Sequence, residues 1–465
     1  MADRRTTRRV HSVADDACPS SEWLISQITA KQAASRRKSY RLTRKLAACL
    51  VGILIVSIAA PSTWAGKGGK KPPPEFRYTF VDLLGFPDRG YQSSADFMTE
   101  PSPSSGRRLI AGNSRLYPDP DGPAIFHPAV WDVGSDGSFP PSDPQDLGLP
   151  PWSREARVEG LSATGVVAAS TNWARYRDPD DTYWDGEKYV GRWMFPGYLD
   201  IPGSGYQQLP TPEERPNRPF GVRYRNSSVS GMNDNHVIIG SYETLLRVEP
   251  DGTNVWESVS AMWQLDIATG VISMPVDLGA FHPVTINNDG VMTGYYLGQA
   301  VICRGLDANG EPIVEPLETL AGYDGSQPTA ISDNGLWVAG HAEVYVEGRG
   351  WYSEACVWNV TAGTVQGLGT LSRKGWNGSS VAIGVNNAGQ VVGRSDTGRR
   401  IPTVAFLWEG SSLIDLNTLV DTGSVNLAGA TGISNDGLII GTLGDPKASE
   451  LRGFLLVPIS VSGAP

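Results

Sequence analysis

Residues 384–395 read GVNNAGQVVGRS, and close variants return at 285–295 (TINNDGVMTGY), 330–340 (AISDNGLWVAG) and 432–442 (GISNDGLIIGT). A unit that recurs constrains a fold more tightly than any composition. Each copy sets a pair of Asn, Asp or Ser residues and then Gly between two strand-like runs. Asn and Asp side chains bond their own backbone to start a turn, and Gly accepts the left-handed conformation that closes a hairpin. Because the cluster recurs with the same neighbours, it reads as a turn rather than a metal or catalytic loop. One copy, NDNH at 233–236, places His236 at the Gly position, where a non-Gly residue is mildly strained.

Three kinds of segment follow one another in fixed order. A turn leads into a short β-branched strand that usually ends in a small residue: GRRLIAG (106–112), ATGVVAAS (163–170), DNHVIIGS (234–241) and the four copies above. An apolar strand, often ending in Trp, comes next: AVWDV (129–133), GRWMF (191–195), AMWQL (261–265), AVICR (300–304), ACVWN (355–359), AFLWE (405–409) and GFLLV (453–457). The third segment is built on Asp-Leu or a variant: FVDLL (80–84), QDLGL (145–149), YQQLP (206–210), PVDLG (275–279), PLETL (316–320), VQGLG (365–369) and LIDLN (413–417). The segment before each turn, such as SVAIGVN (380–386), supplies a fourth strand.

Seven copies at a period near 50 residues, with short strands and no helical pattern, predict an all-β fold: a β-propeller of seven four-stranded blades. The chain opens on a third-type strand and ends on a second-type strand. An open array would leave both as bare edges. A ring lets 80–84 pair with 453–457 and complete the seventh blade. A closed ring is expected to be a monomer. In VAFLW (404–408), Val404, Phe406 and Trp408 point one way, and Ala405 and Leu407 the other; both faces are apolar, as in a strand covered on both sides. A Trp buried there hides about 150–250 Å², an upper bound of roughly 4–6 kcal/mol.

AFLW (405–408), with NNAGQVVG before it and DLNTL after it, resembles the HAF-repeat family of extracellular proteins, named for His-Ala-Phe. The resemblance is closest over 380–442 and extends more weakly back to 274. Val404 stands where the family has its His, as does Glu354 before Ala355 and Cys356. The resemblance implies export and a repeat fold, and brings no reaction and no catalytic residues. Kelch propellers are a more distant analogy.

The N-terminus agrees with export. Its first 45 residues carry a net charge of +7, and LAACLVGILIVSIAA (46–60) is an uncharged apolar run. Thr63 and Ala65 fit a cleavage site after Ala65, so 1–65 is expected to be a signal peptide with a long basic leader. The alternative is an uncleaved anchor, since 46–65 approaches spanning length. Residues 66–75 (GKGGKKPPPE) read as a flexible linker, 76–458 as the propeller and 459–465 as a short tail. The whole chain carries −10, so the part after residue 65 carries −17. That charge repels phosphate backbones and anionic lipid, so neither nucleic acid nor, after cleavage, a membrane is an expected partner. Cys303 and Cys356 occupy comparable strand positions of neighbouring units on faces that point the same way, so a bridge between them is not favoured.

Catalytic signatures are lacking: no Cys-x-x-Cys, no His-Glu-x-x-His, no phosphate loop, no Gly-x-Ser-x-Gly. SDNGLW (332–337) is like the Asp-box of sialidases but is short of one residue and sits in the turn register. Strand alternation puts the Asn/Gly turns on one face and every long insertion on the other. The richest insertion, 171–193, interleaves Trp173, Tyr176, Tyr183, Trp184 and Tyr189 with Asp178, Asp180, Asp181, Asp185 and Glu187. The aromatic residues, with Trp351 and Tyr352 of the insertion 341–355, are candidates for ligand binding. The acidic ones are candidates for holding a hard cation such as Ca²⁺, although no EF-hand spacing is present. Three function classes stay open: a secreted or envelope binding module for a protein or polysaccharide, a glycan-active enzyme using channel carboxylates, and a purely structural envelope component.

Overall fold

The computed structural model describes residues 76–86, 92–102, 106–116, 125–134, 144–174, 177–184, 189–213, 224–250, 254–372, 378–398, 403–444 and 451–459, with backbone alone at 116, within 173–193 and at 451. The expected signal peptide, linker and all but the first residue of the tail lie outside the described residues.

Seven antiparallel sheets form the blades, each with its strands in the order inner to outer. Blade 1 is Phe97–Met98, Arg108–Leu116, Ile125–Val133 and Gln145–Asp146; blade 2 is Ser153–Leu161, Val167–Ala174, Gly197–Ile201 and Gly205–Gln208. Blade 3 is Ser227–Met232, Val237–Val248 and Asn254–Asp266, with an outer edge split into Val271–Ile272 and Val276–Asp277. Blade 4 is Phe281–Ile286, Met292–Tyr296, Gln299–Leu306 and Pro312–Pro316; blade 5 is Gly325–Ile331, Trp337–Val346, Gly350–Asn359 and Thr364–Gly369. Blade 6 is Ser380–Val385, Val391–Asp396, Thr403–Glu409 and Ser412–Asp415. Blade 7 takes Leu427–Ile433, Ile439–Gly444 and Leu451–Pro458 from the C-terminus and its outer strand, Tyr78–Leu83, from the other end of the chain. The expected closure is therefore present, with Phe80 opposite Leu456 and Leu83 opposite Gly453.

Two segment assignments shift. In blade 2 the third strand is Gly197–Ile201, not GRWMF: 191–193 belong to a separate two-stranded hairpin, Arg177–Trp184 with Tyr189–Trp193, inserted before it. In blade 4 the outer strand is Pro312–Pro316, so PLETL begins only where that strand ends. Its leucine still does the work of the motif, because the Leu317 N–H donates to the Ala300 carbonyl at 2.9 Å and the side chain is buried.

The repeated residues divide the labour of holding blade to blade. Phe406 and Trp408 pack towards blade 5, with Val357 and Leu368, whereas Ala405 and Leu407 pack towards blade 7, with Ile439 and Phe454. Each Asp-Leu leucine folds inward at the end of its outer strand, and Asp146, Asp277 and Asp415 accept the N–H two residues on (2.7, 2.8 and 3.0 Å), turning the chain towards the next blade. The glycine within the second strand of six blades is a steric demand. A Cβ on Gly240, Gly294, Gly340, Gly393 or Gly441 would lie about 2 Å from a backbone carbonyl oxygen of the inner strand, next to a bulge in that strand, and one on Gly112 would lie as close to the Ser94 carbonyl oxygen. Cys303 is buried between blades 3 and 4 and Cys356 between blades 4 and 5, and both are free thiols whose pKa is raised by burial. Glu354, where the resembled family has His, accepts the Tyr323 hydroxyl and the Gly369 N–H, which makes it a staple of blade 5.

Candidate functional site

The Asn/Gly turns meet around the central channel. Among them, Gly165, Gly290, Gly335, Gly389 and Gly437 are all left-handed, and His236 holds the same conformation at φ 59°. His236 is kept there by a 2.6 Å hydrogen bond between its Nε2 and Thr164 Oγ1 of the preceding blade. The turns do more than reverse the chain. The Asn334 N–H donates to Asn387 Oδ1 of the next blade (2.8 Å), Asn387 N–H to Asn435 Oδ1 (2.8 Å), and Asn435 N–H to Glu100 Oε1 (2.7 Å), which crosses the ring closure. Earlier in the ring, Ala163 N–H donates to Asp234 and Asp234 N–H to Asn288. Behind this collar lies a channel-mouth cavity of about 270 Å³, lined by the ends of the inner strands.

Carboxylates do converge on this channel, but most are engaged. Asp333 accepts from Asn435 Nδ2 (2.9 Å), and its pKa is raised by burial and by Asp234 and Asp289 nearby. Glu100 faces Arg108, whose fully buried guanidinium pairs with Asp436, and burial raises the Glu100 pKa despite these partners. Asp96 accepts from Ser94 Oγ (2.6 Å) and Asn113 Nδ2 (3.1 Å). Glu159 differs from these. It occupies the bulge of the blade 2 inner strand, and burial together with the Asp96 charge raises its pKa to about 7, against the opposing pull of Arg157. Nothing in the sequence marks this pair, because Asp96 belongs to a degenerate first blade and Glu159 follows no motif.

The opposite face carries the long connections, as expected. There the second and third strands of blade 3 run to 12 and 13 residues, and those of blade 5 to 10 each. Trp351 is 65% exposed at the tip of the blade 5 hairpin, edge-on to Tyr345, itself 54% exposed, with ring centroids 5.5 Å apart. Tyr352 is the next residue along and is half-buried. In blade 3 the matching hairpin exposes Leu246 and Val248, and the tight turn of blade 4 between them holds Leu297 left-handed at φ 50° and 80% exposed. Trp256, by contrast, is covered by the Arg225 guanidinium at 3.4 Å, and Arg225 Nε pairs with Glu213 at 3.1 Å.

For the richest insertion only backbone is described beyond residue 172. Trp184 pairs with Tyr189, Tyr183 with Val190 and Asp178 with Arg192, while Trp173 continues the second strand of blade 2 opposite Glu155. Asp180 and Asp181 lie on the same hairpin strand. Tyr176, Asp185 and Glu187 lie outside the described residues, as do the side chains of the others. Among the described residues no group of three or more His, Cys, Asp or Glu side chains is arranged to hold a metal ion, and no helix is long and apolar enough to cross a membrane.

No family model matches the chain, and no curated protein matches it. Solved structures do align. The K499G mutant of NanB sialidase from Streptococcus pneumoniae is 11% identical, with a TM-score of 0.35 over 83% of this chain and 71% of that one. Prolyl oligopeptidase B from Galerina marginata is 8% identical, with a TM-score of 0.41 over 77% and 50%. Dipeptidyl peptidase 4 of Porphyromonas gingivalis is 10% identical, with a TM-score of 0.37 over 75% and 57%. Likeness at this level carries nothing about activity.

Proposed function

We propose that this chain is an exported binding propeller that holds an extracellular protein on the rim formed by the hairpin tips of blades 3, 4 and 5. One observation carries the reading. Three successive blades present bare apolar side chains on the same face: Leu246 and Val248, then Leu297, then Tyr345 and Trp351. Large exposed apolar side chains on successive hairpins of one face, rimmed by charge, mark interaction surfaces, and Glu243, Glu249, Glu343 and Glu347 flank these tips in sequence. The aliphatic members favour a protein over a polysaccharide, since leucine and valine offer a sugar neither a ring face nor a hydrogen bond. Trp and Tyr at its end are the side chains most used as binding anchors.

The test is site-specific photocrosslinking on the full-length protein in its own extracellular fluid. A crosslinker at 246, 297 or 351 is expected to capture the same partner, and one at 289 or 388 on the turn face is not. Identical products from both faces, or none from the rim, would reject the reading. A second reading rests on Asp96 and Glu159. A carboxyl whose pKa is raised to about 7 beside a second carboxyl is suited to general-acid work on a glycosidic bond. Under that reading, incubation with polysaccharides releases new sugar ends, and Glu159→Gln abolishes them.

A further inference from the structure

Between the outer edges of blades 2 and 3 the structure leaves a cleft of about 370 Å³, separate from both the channel and the rim. Trp152, Tyr206 and Tyr224 give it aromatic walls, Gln207 and Gln208 contribute carboxamides, and Val271 of the blade 3 edge stands 61% exposed at one side. Among the described residues, no carboxylate, ammonium or guanidinium lines it. An ionic ligand would leave water and meet no counter-charge from these residues.

The walls are fixed. Tyr206 gives its hydroxyl to the Leu147 carbonyl and stands edge-on to Tyr198, and burial with Asp200 and Asp146 nearby pushes its pKa up to about 12, so the ring stays neutral. Gln208 Oε1 accepts the Tyr224 N–H at 3.3 Å, tying that residue to the strand. Gln207 is different: its carboxamide has no hydrogen-bond partner among the described residues. Opposite it stands the left-handed Gly270 (φ 69°), where a Cβ would be in ordinary contact with Gln207 Nε2 at 3.6 Å.

We propose that this cleft is a binding site for one uncharged sugar residue of a glycan chain. The aromatic walls match the C–H faces of a sugar ring, and the carboxamides match its hydroxyls as both donor and acceptor. A wholly apolar ligand fits less well, because it would desolvate the free Gln207 amide without replacing its hydrogen bonds. A peptide strand fits less well too. The blade 3 edge is interrupted at 273–275, so it offers no continuous row of backbone groups for strand addition.

The experiment titrates full-length protein calorimetrically with neutral hexasaccharides of the gluco-, manno- and xylo- series, beside oligogalacturonate and oligochitosan as charged counterparts. A neutral series is expected to bind. Gln207→Ala should weaken that binding about tenfold, near 1.4 kcal/mol, and Gln207→Trp, which fills the cleft, should abolish it. Both variants should melt with the parent, because residue 207 sits half-buried on an outer strand. Trp351→Ala should leave the titration unchanged, which separates this site from the rim. The proposal fails if no neutral series binds, if a charged oligosaccharide binds better, if both Gln207 variants bind as the parent does, or if Trp351→Ala removes binding.

Discussion

The indole N–H of Trp358 donates to the carbonyl of Glu318 at 2.7 Å, the residue directly after the Asp-Leu-type leucine of the preceding blade. The same bond joins Trp263 to Pro210 (2.8 Å) and Trp131 to Leu84 (3.2 Å). Two motifs that look independent along the chain are thus donor and acceptor across a blade interface. Trp358→Phe keeps a ring in the core but removes this part-buried hydrogen bond, at a cost of about 0.5–1.5 kcal/mol. Trp358→Ala adds a cavity and should cost about 3–5 kcal/mol. Urea unfolding of the two variants checks the order; a Trp358→Phe variant as stable as the parent would mean that the bond contributes nothing beyond packing.

Ring closure makes its own prediction. Tyr78–Leu83 covers the edge of Leu451–Pro458 and buries Tyr78 and Leu83 in the clusters on either side of blade 7. Deleting 76–86 bares that edge and removes both anchors. The melting temperature should drop sharply and aggregation should become concentration-dependent. Leu83→Ala alone should cost about 2–5 kcal/mol. A melting curve indifferent to the deletion would show that the ring does not depend on its terminal strand.

Two glycines four residues apart, one in a turn and one in the strand that follows it, should respond unequally. Gly290 is left-handed at φ 77° with open space around its Cα, so Gly290→Ala meets only backbone strain, about 1 kcal/mol. Gly294 has no positive φ, yet its Cβ would fall 2.0 Å from the His282 carbonyl oxygen. Gly294→Ala must push two strands apart and should cost about 3 kcal/mol or more, as overpacking against backbone does. Thermal melts of the pair decide it, and a reversed order would refute the steric account.

These positions show what was legible in the sequence. The turns, the Trp-bearing strands and the Asp-Leu segments could be read because each obeys a local rule repeated at every blade, and repetition made even the degenerate copies recognisable by place. Blade 2 misled where its inserted hairpin offered Gly191-Arg192-Trp193, a good copy of the strand signature, while the real third strand carries Tyr198 instead of Trp. The turn asparagines were correctly read as structural, but their bonds to the next blade could not be seen, since they join residues about 50 positions apart. Asp96 and Glu159 were invisible for the same reason: 63 residues separate them, and only the stacking of inner strands brings their charges together. The rim was half legible, in Trp351 but not in Leu297, which the sequence shows as an ordinary residue before Gly298.

Glu159 supplies the sharpest test by pH. Its pKa is about 7 in the folded chain, raised first by burial and then by Asp96, against an ordinary value of 4.5. The folded state therefore binds this proton more tightly than the unfolded state does. The resulting stability is fully present below about pH 4.5, is lost progressively as pH rises through 7, and is absent above it. The ionised side chain should then cost on the order of 2–3 kcal/mol at pH 8. Glu159→Gln keeps the shape and the hydrogen-bonding capacity but cannot ionise. Relative to the parent, the variant should match it near pH 5 and gain stability steadily towards pH 8. Raised carboxylates that do not interact with Glu159, Asp333 among them, are common to both proteins and cancel in the difference, whereas Asp96 titrates together with Glu159 and belongs to the measured effect. Thermal unfolding of parent and variant at half-unit steps from pH 5 to 8 measures that difference directly. Parallel curves would mean that Glu159 is solvated and ionised throughout, which would also remove the general-acid reading of the channel.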